Sequence, residues 1–244
     1  MELWGATDSG KVRQQNQDVF KTISDVDRNV AVLVVCDGMG GARAGSVASA
    51  LAADTFIRYM EEHIDKITSQ RKISEVVSDA VLCANKAVYD QGSHEEDYAG
   101  MGTTLAAAIS SPSGEVVVNI GDSRVYHVRT CGITQVTRDH SVVEDLIIRG
   151  DLTRAEARRH PKKHLITRAL GTSDEEKPDL FFLGLKQGEY LLLCSDGLSN
   201  LVLDSEMQFE LLRGENVRES CENLVAMALS RGAPDNVTAV IYQK

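Results

Sequence analysis

Two stretches of the chain share one grammar, an apolar run that stops at Asp-Gly. They are Val32-Leu33-Val34-Val35-Cys36-Asp37-Gly38 and Tyr190-Leu191-Leu192-Leu193-Cys194-Ser195-Asp196-Gly197. A rigid strand that ends at a carboxylate aims it. Asp122 stands in Gly121-Asp122-Ser123-Arg124 between two β runs, and Asp235 in Pro234-Asp235-Asn236 just before the last strand. Asp18 closes Arg13-Gln14-Gln15-Asn16-Gln17-Asp18. Taken singly, each acid is equally a turn or a helix cap, because Asp-Gly is a common turn pair and Asp accepts backbone N–H bonds at helix starts. Brought together, they would repel one another unless protons or cations neutralised them. An all-oxygen set without His or Cys selects Mg²⁺ or Mn²⁺. Spacing alone leaves that convergence open.

The stretch Gly38-Met39-Gly40-Gly41-Ala42-Arg43-Ala44-Gly45 follows a strand and precedes a helix, where a dinucleotide fingerprint would lie. The spacing fails, since G-x-G-x-x-G needs Gly at the place of Arg43, and no Gly-Lys-Ser/Thr follows to make a P-loop. A backbone that must approach a metal ion closely explains these glycines better.

The elements that must position these residues can be read from periodicity. Short runs rich in Val, Ile and Leu recur at Val30 to Cys36, Leu105 to Ser110, Glu115 to Ile120, Arg124 to Arg129, Leu180 to Leu185, Tyr190 to Cys194 and Val237 to Tyr242, and they predict strands. Val47, Leu51, Phe56, Met60 and Ile64 follow helical spacing, and Ile73 to Val88 forms a fuller stripe. Val217 to Ala228 gives a third helix, and Thr153-x-x-Glu156 is a capping box that opens a short one. Gln91 to Tyr98 is polar enough for a surface loop. Clustered strands and paired helices, without strict alternation, favour an α+β fold.

The 244 residues show no internal repeat and no Pro, Gly or Ser-rich linker, so one domain over 1–244 is expected. With 26 Lys and Arg against 36 Asp and Glu the net charge is −10, which argues against nucleic-acid or anionic-membrane binding. No apolar run approaches the roughly 20 residues of a membrane span, and the start has no basic-then-apolar leader, so a cytoplasmic protein is expected. Five widely spaced Cys fit neither a disulfide framework nor zinc spacing and read as buried thiols.

Several of these stretches occur together in an order that identifies a resemblance. Thr7-Asp8-x-Gly10-x-Val12-Arg13-x-x-Asn16-Gln17-Asp18 is followed by Asp37-Gly38-Met39-Gly40-Gly41, Gly100-Met101-Gly102-Thr103-Thr104 and Gly121-Asp122-Ser123-Arg124. Then come His160-Pro161 with Ile166 to Gly171, Ser195-Asp196-Gly197 and Asp235-Asn236-Val237-Thr238. From about Thr7 to Thr238 the chain resembles the metal-dependent protein phosphatase family, the phosphatase 2C type in its compact bacterial form.

The resemblance implies a four-layer α-β-β-α sandwich, two antiparallel sheets flanked by helices, with a metal site at one end. It implies a Mg²⁺- or Mn²⁺-dependent phosphoric monoester hydrolase acting on phosphoserine and phosphothreonine in proteins, by attack of a water bridging two ions. Asp37 would bridge the two metals, the Gly38 carbonyl would bind one, and Asp196 and Asp235 would complete the other. Asp122 with Asp196 would hold a third, weaker ion. Gln17, Asp18 and Asn236 would stand just behind the metals, Asp18 positioning the attacking water, and Arg13 would grip the substrate phosphate. The partners implied are phosphoproteins and a cognate serine/threonine kinase, with the enzyme a monomer.

Two residues depart from the best-known family pattern. Gln17 replaces the common Glu and removes a negative charge, which keeps a catalytically weakened binding module alive as the rival reading. Met39 stands where many eukaryotic members carry His and cannot donate a proton to the leaving oxygen. Asp139 through Gly171 resembles the family's flap segment. His140, His160 and His164 within it are read as ordering the flap, while His63, His94 and His127 carry no motif.

Overall fold

The structure, a computed structural model, describes residues 1–41 and 43–244. In chain order it comprises β1 (Glu2–Asp8), β2 (Asp18–Asp25), β3 (Val30–Met39), α1 (Ala44–Glu62), α2 (Gln70–His94), β4 (Gly102–Thr103), β5 (Leu105–Ser111), β6 (Gly114–Ile120), β7 (Arg124–Arg129) and β8 (Gly132–Gln135). There follow α3 (Val142–Arg149), α4 (Arg154–Ala157), β9 (Asp179–Leu183), β10 (Tyr190–Cys194), α5 (Asp196–Ser199), α6 (Asp204–Arg213), α7 (Val217–Ser230) and β11 (Val237–Gln243). One antiparallel sheet runs β1-β11-β10-β7-β8; the other runs β2-β3-β5-β6-β9, with β4 added to β3.

The alternation of side chains along β3 shows how four layers arise. Val30, Val32, Val34 and Cys36 face α1 and α2, whereas Ala31, Leu33 and Val35 face the other sheet, where they meet Val125, Leu191, Leu193 and Val240. A strand buried on both faces reads as a continuous apolar run, which is why β3 was conspicuous in the sequence. A third core lies on the outer face of the first sheet, where Leu192, Cys194 and Ile241 pack under Leu198, Met207, Leu211 and Leu224 from α5, α6 and α7. Each fully buried Val or Leu contributes about 1.5–3 kcal/mol. The molecule is thus the expected α+β sandwich with helices on both outer faces.

The helices follow their stripes with small shifts. In α1 the buried seam is Ala48, Ala52, Phe56 and Met60; Val47 and Leu51 are only half-buried, since alanines let the helix lie close to the sheet. Ser69 caps α2 by accepting the Lys72 N–H, and Thr153 and Glu156 form the expected capping box. The loop expected at 91–98 is corrected. Helix α2 continues through His94, with the Gln91 amide donating to Glu95 at 2.7 Å, and a single 3-10 turn follows at Glu96–Tyr98. Cys36, Cys194 and Cys221 are buried, but Cys83 and Cys131 are exposed. Cys83 sits on the outward side of α2, and Cys131 in the two-residue turn between β7 and β8. No described helix is long and apolar enough to cross a membrane.

Candidate active site

The ends of both sheets that carry the aspartates meet on one side of the sandwich. Asp37 lies beside Asp18 in the β2–β3 register, and Cys194, just before Ser195-Asp196, lies between Arg124 and Ala239 in the first sheet. That register puts Asp196, the β6–β7 turn with Asp122, and the Asp235-Asn236 approach to β11 at the same end. They open onto one cavity of about 720 Å³, lined by Asp37, Asp122, Asp196 and Asp235 together with Arg13, Gln17, Gly38, Met39 and Thr104. The sequence-predicted acids therefore converge.

The electrostatics follow from how few cations are present. Around Asp37 stand Asp18, Asp196, Asp122 and Asp235, and desolvation followed by these like charges raises its proton affinity well above that of an ordinary carboxylate. Asp122 and Asp196 shift upward, first from desolvation and then from neighbouring carboxylates. Arg13 offsets part of this charge by donating to Asp235 Oδ2 at 2.8 Å. Arg124 opposes the shift of Asp122 from a distance, but its hydrogen bonds are committed to Asp139 at 2.6–3.1 Å and to the Tyr126 hydroxyl at 3.1 Å.

Asp18 is buried at 4% exposure beneath this set. Its Oδ2 accepts from the Ser195 hydroxyl at 2.6 Å and the Thr238 hydroxyl at 2.7 Å, while its Oδ1 has no partner. Desolvation, resisted by those two hydroxyls, pushes its pKa from 3.8 up to about 7. A buried carboxylate oxygen without a donor, under a cluster of four more carboxylates, is an acceptor set whose chemistry suits a cation.

The backbone is also shaped for close approach. A Cβ on Gly38 would collide with the carbonyl of Gly45 at the start of α1, so only glycine lets the end of β3 meet the helix and leave the Gly38 backbone on the cavity wall. No three His, Cys, Asp or Glu side chains among the described residues close on one point as a ready cage. Arg13 instead spans to Asp235. The donor chemistry, all oxygen, strongly anionic and rich in carboxylates, fits hard divalent cations.

The supporting residues show what the expected roles amount to. Asn236 accepts the Gln17 N–H at 2.8 Å and donates to the carbonyls of Ser9 and Gln15, tying the loop that carries Arg13 to the start of β11. The Gln17 side chain reaches the Gly41 carbonyl only at 3.5 Å. Thr104 carried no role in the sequence reading, yet its hydroxyl accepts the Asp37 N–H at 2.9 Å and lies 2.7 Å from Ser123 Oγ, while its own N–H donates to the Asp37 carbonyl. It joins the cavity-facing ends of the two sheets. Lys163, His164 and Ile166 of the flap line the same cavity. His160 accepts the Lys162 N–H at 3.1 Å, His63 stacks on Tyr59, and His127 pairs with Glu189, away from the chemistry.

Comparison with known proteins agrees with this geometry. Residues 9–230 match the protein phosphatase 2C family model. The chain is 35% identical over 238 residues to the serine/threonine phosphatase stp of Listeria monocytogenes, covering 98% of this chain and 94% of that one. Among solved structures it is similar to the serine/threonine phosphatase Stp1 of Staphylococcus aureus, with a TM-score of 0.92 and 34% identity over 100% of this chain and 94% of that one. It is similar also to the catalytic domain of the phosphatase PstP solved with two manganese ions, with a TM-score of 0.84 and 36% identity over 98% and 96% of the two chains.

Proposed function

The chain belongs to the protein phosphatase 2C family and is a protein serine/threonine phosphatase, and from that premise we propose how its own residues divide the work on a phosphoserine or phosphothreonine. The observation that carries the reading is the meeting of Asp37, Asp122, Asp196, Asp235 and Arg13 around one cavity. Asp37, the Gly38 carbonyl, Asp196 and Asp235 would hold two divalent cations, Mn²⁺ or Mg²⁺, and Asp122 with Asp196 a third; the manganese in the PstP structure supports this assignment. Bound there, such ions supply Lewis acidity toward phosphoryl oxygens and a nucleophile at neutral pH.

Arg13 grips the substrate phosphate. Its planar donors match two phosphate oxygens, and its present bond to Asp235 holds the guanidinium at the cavity mouth until an anion takes part of it. Asp18 keeps one free acceptor oxygen aimed under the reacting centre and orients water there, with Ser195 and Thr238 fixing its other oxygen. Met39 on the cavity wall has no proton to give, so the departing serine or threonine oxygen takes its proton from water on the Asp122 side. The binding-module rival that Gln17 kept open finds no support, because every metal-facing aspartate is retained and lines the cavity.

On this reading residues 1–244 form one catalytic unit, working as a monomer in the cytoplasm against a serine/threonine kinase and touching no nucleic acid. The deciding assay is hydrolysis of a phosphothreonine peptide with Mn²⁺, with chelator, and with an Asp196→Ala variant confirmed to be folded. Mn²⁺-dependent phosphate release that disappears in the variant is the expected result. Release that survives both chelator and substitution would overturn the assignment.

A further inference from the structure

His140 lies outside the carboxylate set, yet it joins three parts of the structure that meet at the cavity. Its ring Nδ1 accepts the Gly121 N–H at 3.1 Å, and its own backbone N–H donates to the Gly121 carbonyl at 2.9 Å. Its carbonyl accepts the Thr167 N–H at 2.8 Å, and the next residue, Ser141, bridges to Ile166 on the cavity wall. On the ring's far side Nε2 stands 3.3 Å from Asp179 Oδ2 at the start of β9 and 2.9 Å from Arg168 Nη1, which also braces that carboxylate through Oδ1 at 2.8 Å.

The Gly121 turn needs such a clamp. Gly121 has φ +101, and a Cβ there would press into the Thr104 side chain at 2.5 Å, so the turn is special in both conformation and room. Its N–H is buried and finds its acceptor in the ring. Accepting at Nδ1 puts the neutral ring's proton on Nε2, toward Asp179, where the Arg168 guanidinium also lies at 2.9 Å. Burial and the Arg168 charge both favour that neutral form.

We propose that His140 is a positioning residue that locks the Gly121–Asp122 backbone to the base of the flap, so that Asp122 faces the cavity only while the flap base is seated. The inference rests on the reading of Asp122 as part of the working site. Two substitutions separate the ring's two edges. His140→Asn places an amide oxygen near Nδ1 and can still accept from Gly121; His140→Gln reaches toward Asp179 and leaves the Gly121 N–H without an acceptor.

The experiment measures kcat, KM and thermal midpoint for both variants, for Asp122→Asn, and for the double variants, using the Mn²⁺-dependent phosphothreonine-peptide assay. Expected is a loss of kcat of about tenfold in His140→Gln, the worth of one buried hydrogen bond, with His140→Asn near wild type. That loss should vanish in the Asp122→Asn background. Equal losses in Asn and Gln, or a Gln loss that persists undiminished beside Asp122→Asn, would overturn the clamp and leave Asp122's role intact. An Asp122→Asn enzyme with full activity would sink the reading of Asp122 and the inference with it. If neither His140 variant folds, nitrogen NMR of the wild-type ring decides: the Nε2–H tautomer upholds the clamp and the Nδ1–H tautomer overturns it.

Discussion

Asp18→Asn should make the metal-free protein more stable and the enzyme worse. The folded-state pKa of Asp18 lies at about 7 against an ordinary 3.8. The folded protein therefore binds a proton more tightly than the unfolded chain, and the stability this contributes is complete below pH 4 and lost as pH rises through about 7. At about 1.4 kcal/mol for each tenfold change in proton affinity, the full penalty above pH 7 is about 4 kcal/mol. It shrinks to about 2 kcal/mol at pH 5.

An asparagine can present its oxygen to Ser195 and Thr238, as Oδ2 does now, and has no charge to desolvate. Urea denaturation of chelator-treated protein should show a gain of about 2–4 kcal/mol at pH 8, or roughly 4–16 °C in thermal midpoint, and about half of it at pH 5. Phosphate release with Mn²⁺ should fall about 100-fold, the scale of losing a positioned acid or base. A gain that is equal at both pH values, or absent at pH 8, would refute the assignment of the penalty to a buried charge.

Gln17→Glu adds a charge to the cavity; it should tighten the apparent Mn²⁺ affinity by up to about tenfold while lowering metal-free stability, read by titration calorimetry and by melting with chelator. Gly38→Ala pushes a methyl into the Gly45 carbonyl; it should destabilise by about 1–3 kcal/mol and remove Mn²⁺-dependent turnover, and an active, fully stable variant would show that the backbone there has room to yield.

What the sequence made legible follows from how each part is held. Strands buried on both faces, such as β3 and β10, wrote themselves as unbroken apolar runs, and the acids at their ends were found with them. Strands β1 and β2 sit at the sheet edges, half exposed, with Gly5 in one and Lys21 and Ser24 in the other, and lacked that signal. Helix α6 buries only Met207 and Leu211 and was missed for the same reason.

Within the site, Asp37, Asp122, Asp196, Asp235, Arg13 and Asn236 are legible from their motifs and lie together. The hydroxyls that hold them had no assigned role. Thr104 serves Asp37 from 67 residues away and Ser195 serves Asp18 from 177. A neutral side chain whose partner is brought up only by sheet packing leaves no periodic or charge trace in the chain. His140 was expected to order the flap, but its bond to Gly121 depends on a turn whose shape no spacing reveals.

Strand β1 pairs with β11 along its whole length, from Glu2 beside Gln243 to Asp8 beside Val237. During synthesis, then, Arg13 and Asp37 emerge from the ribosome long before Asp196 and Asp235, and the loop of Arg13 cannot be tied to Asn236 until more than two hundred further residues have been added. Pairings of such long sequence separation form slowly. The cavity is consequently among the last features to assemble, and a nascent or truncated chain lacks the complete anionic basin that would draw in a divalent ion.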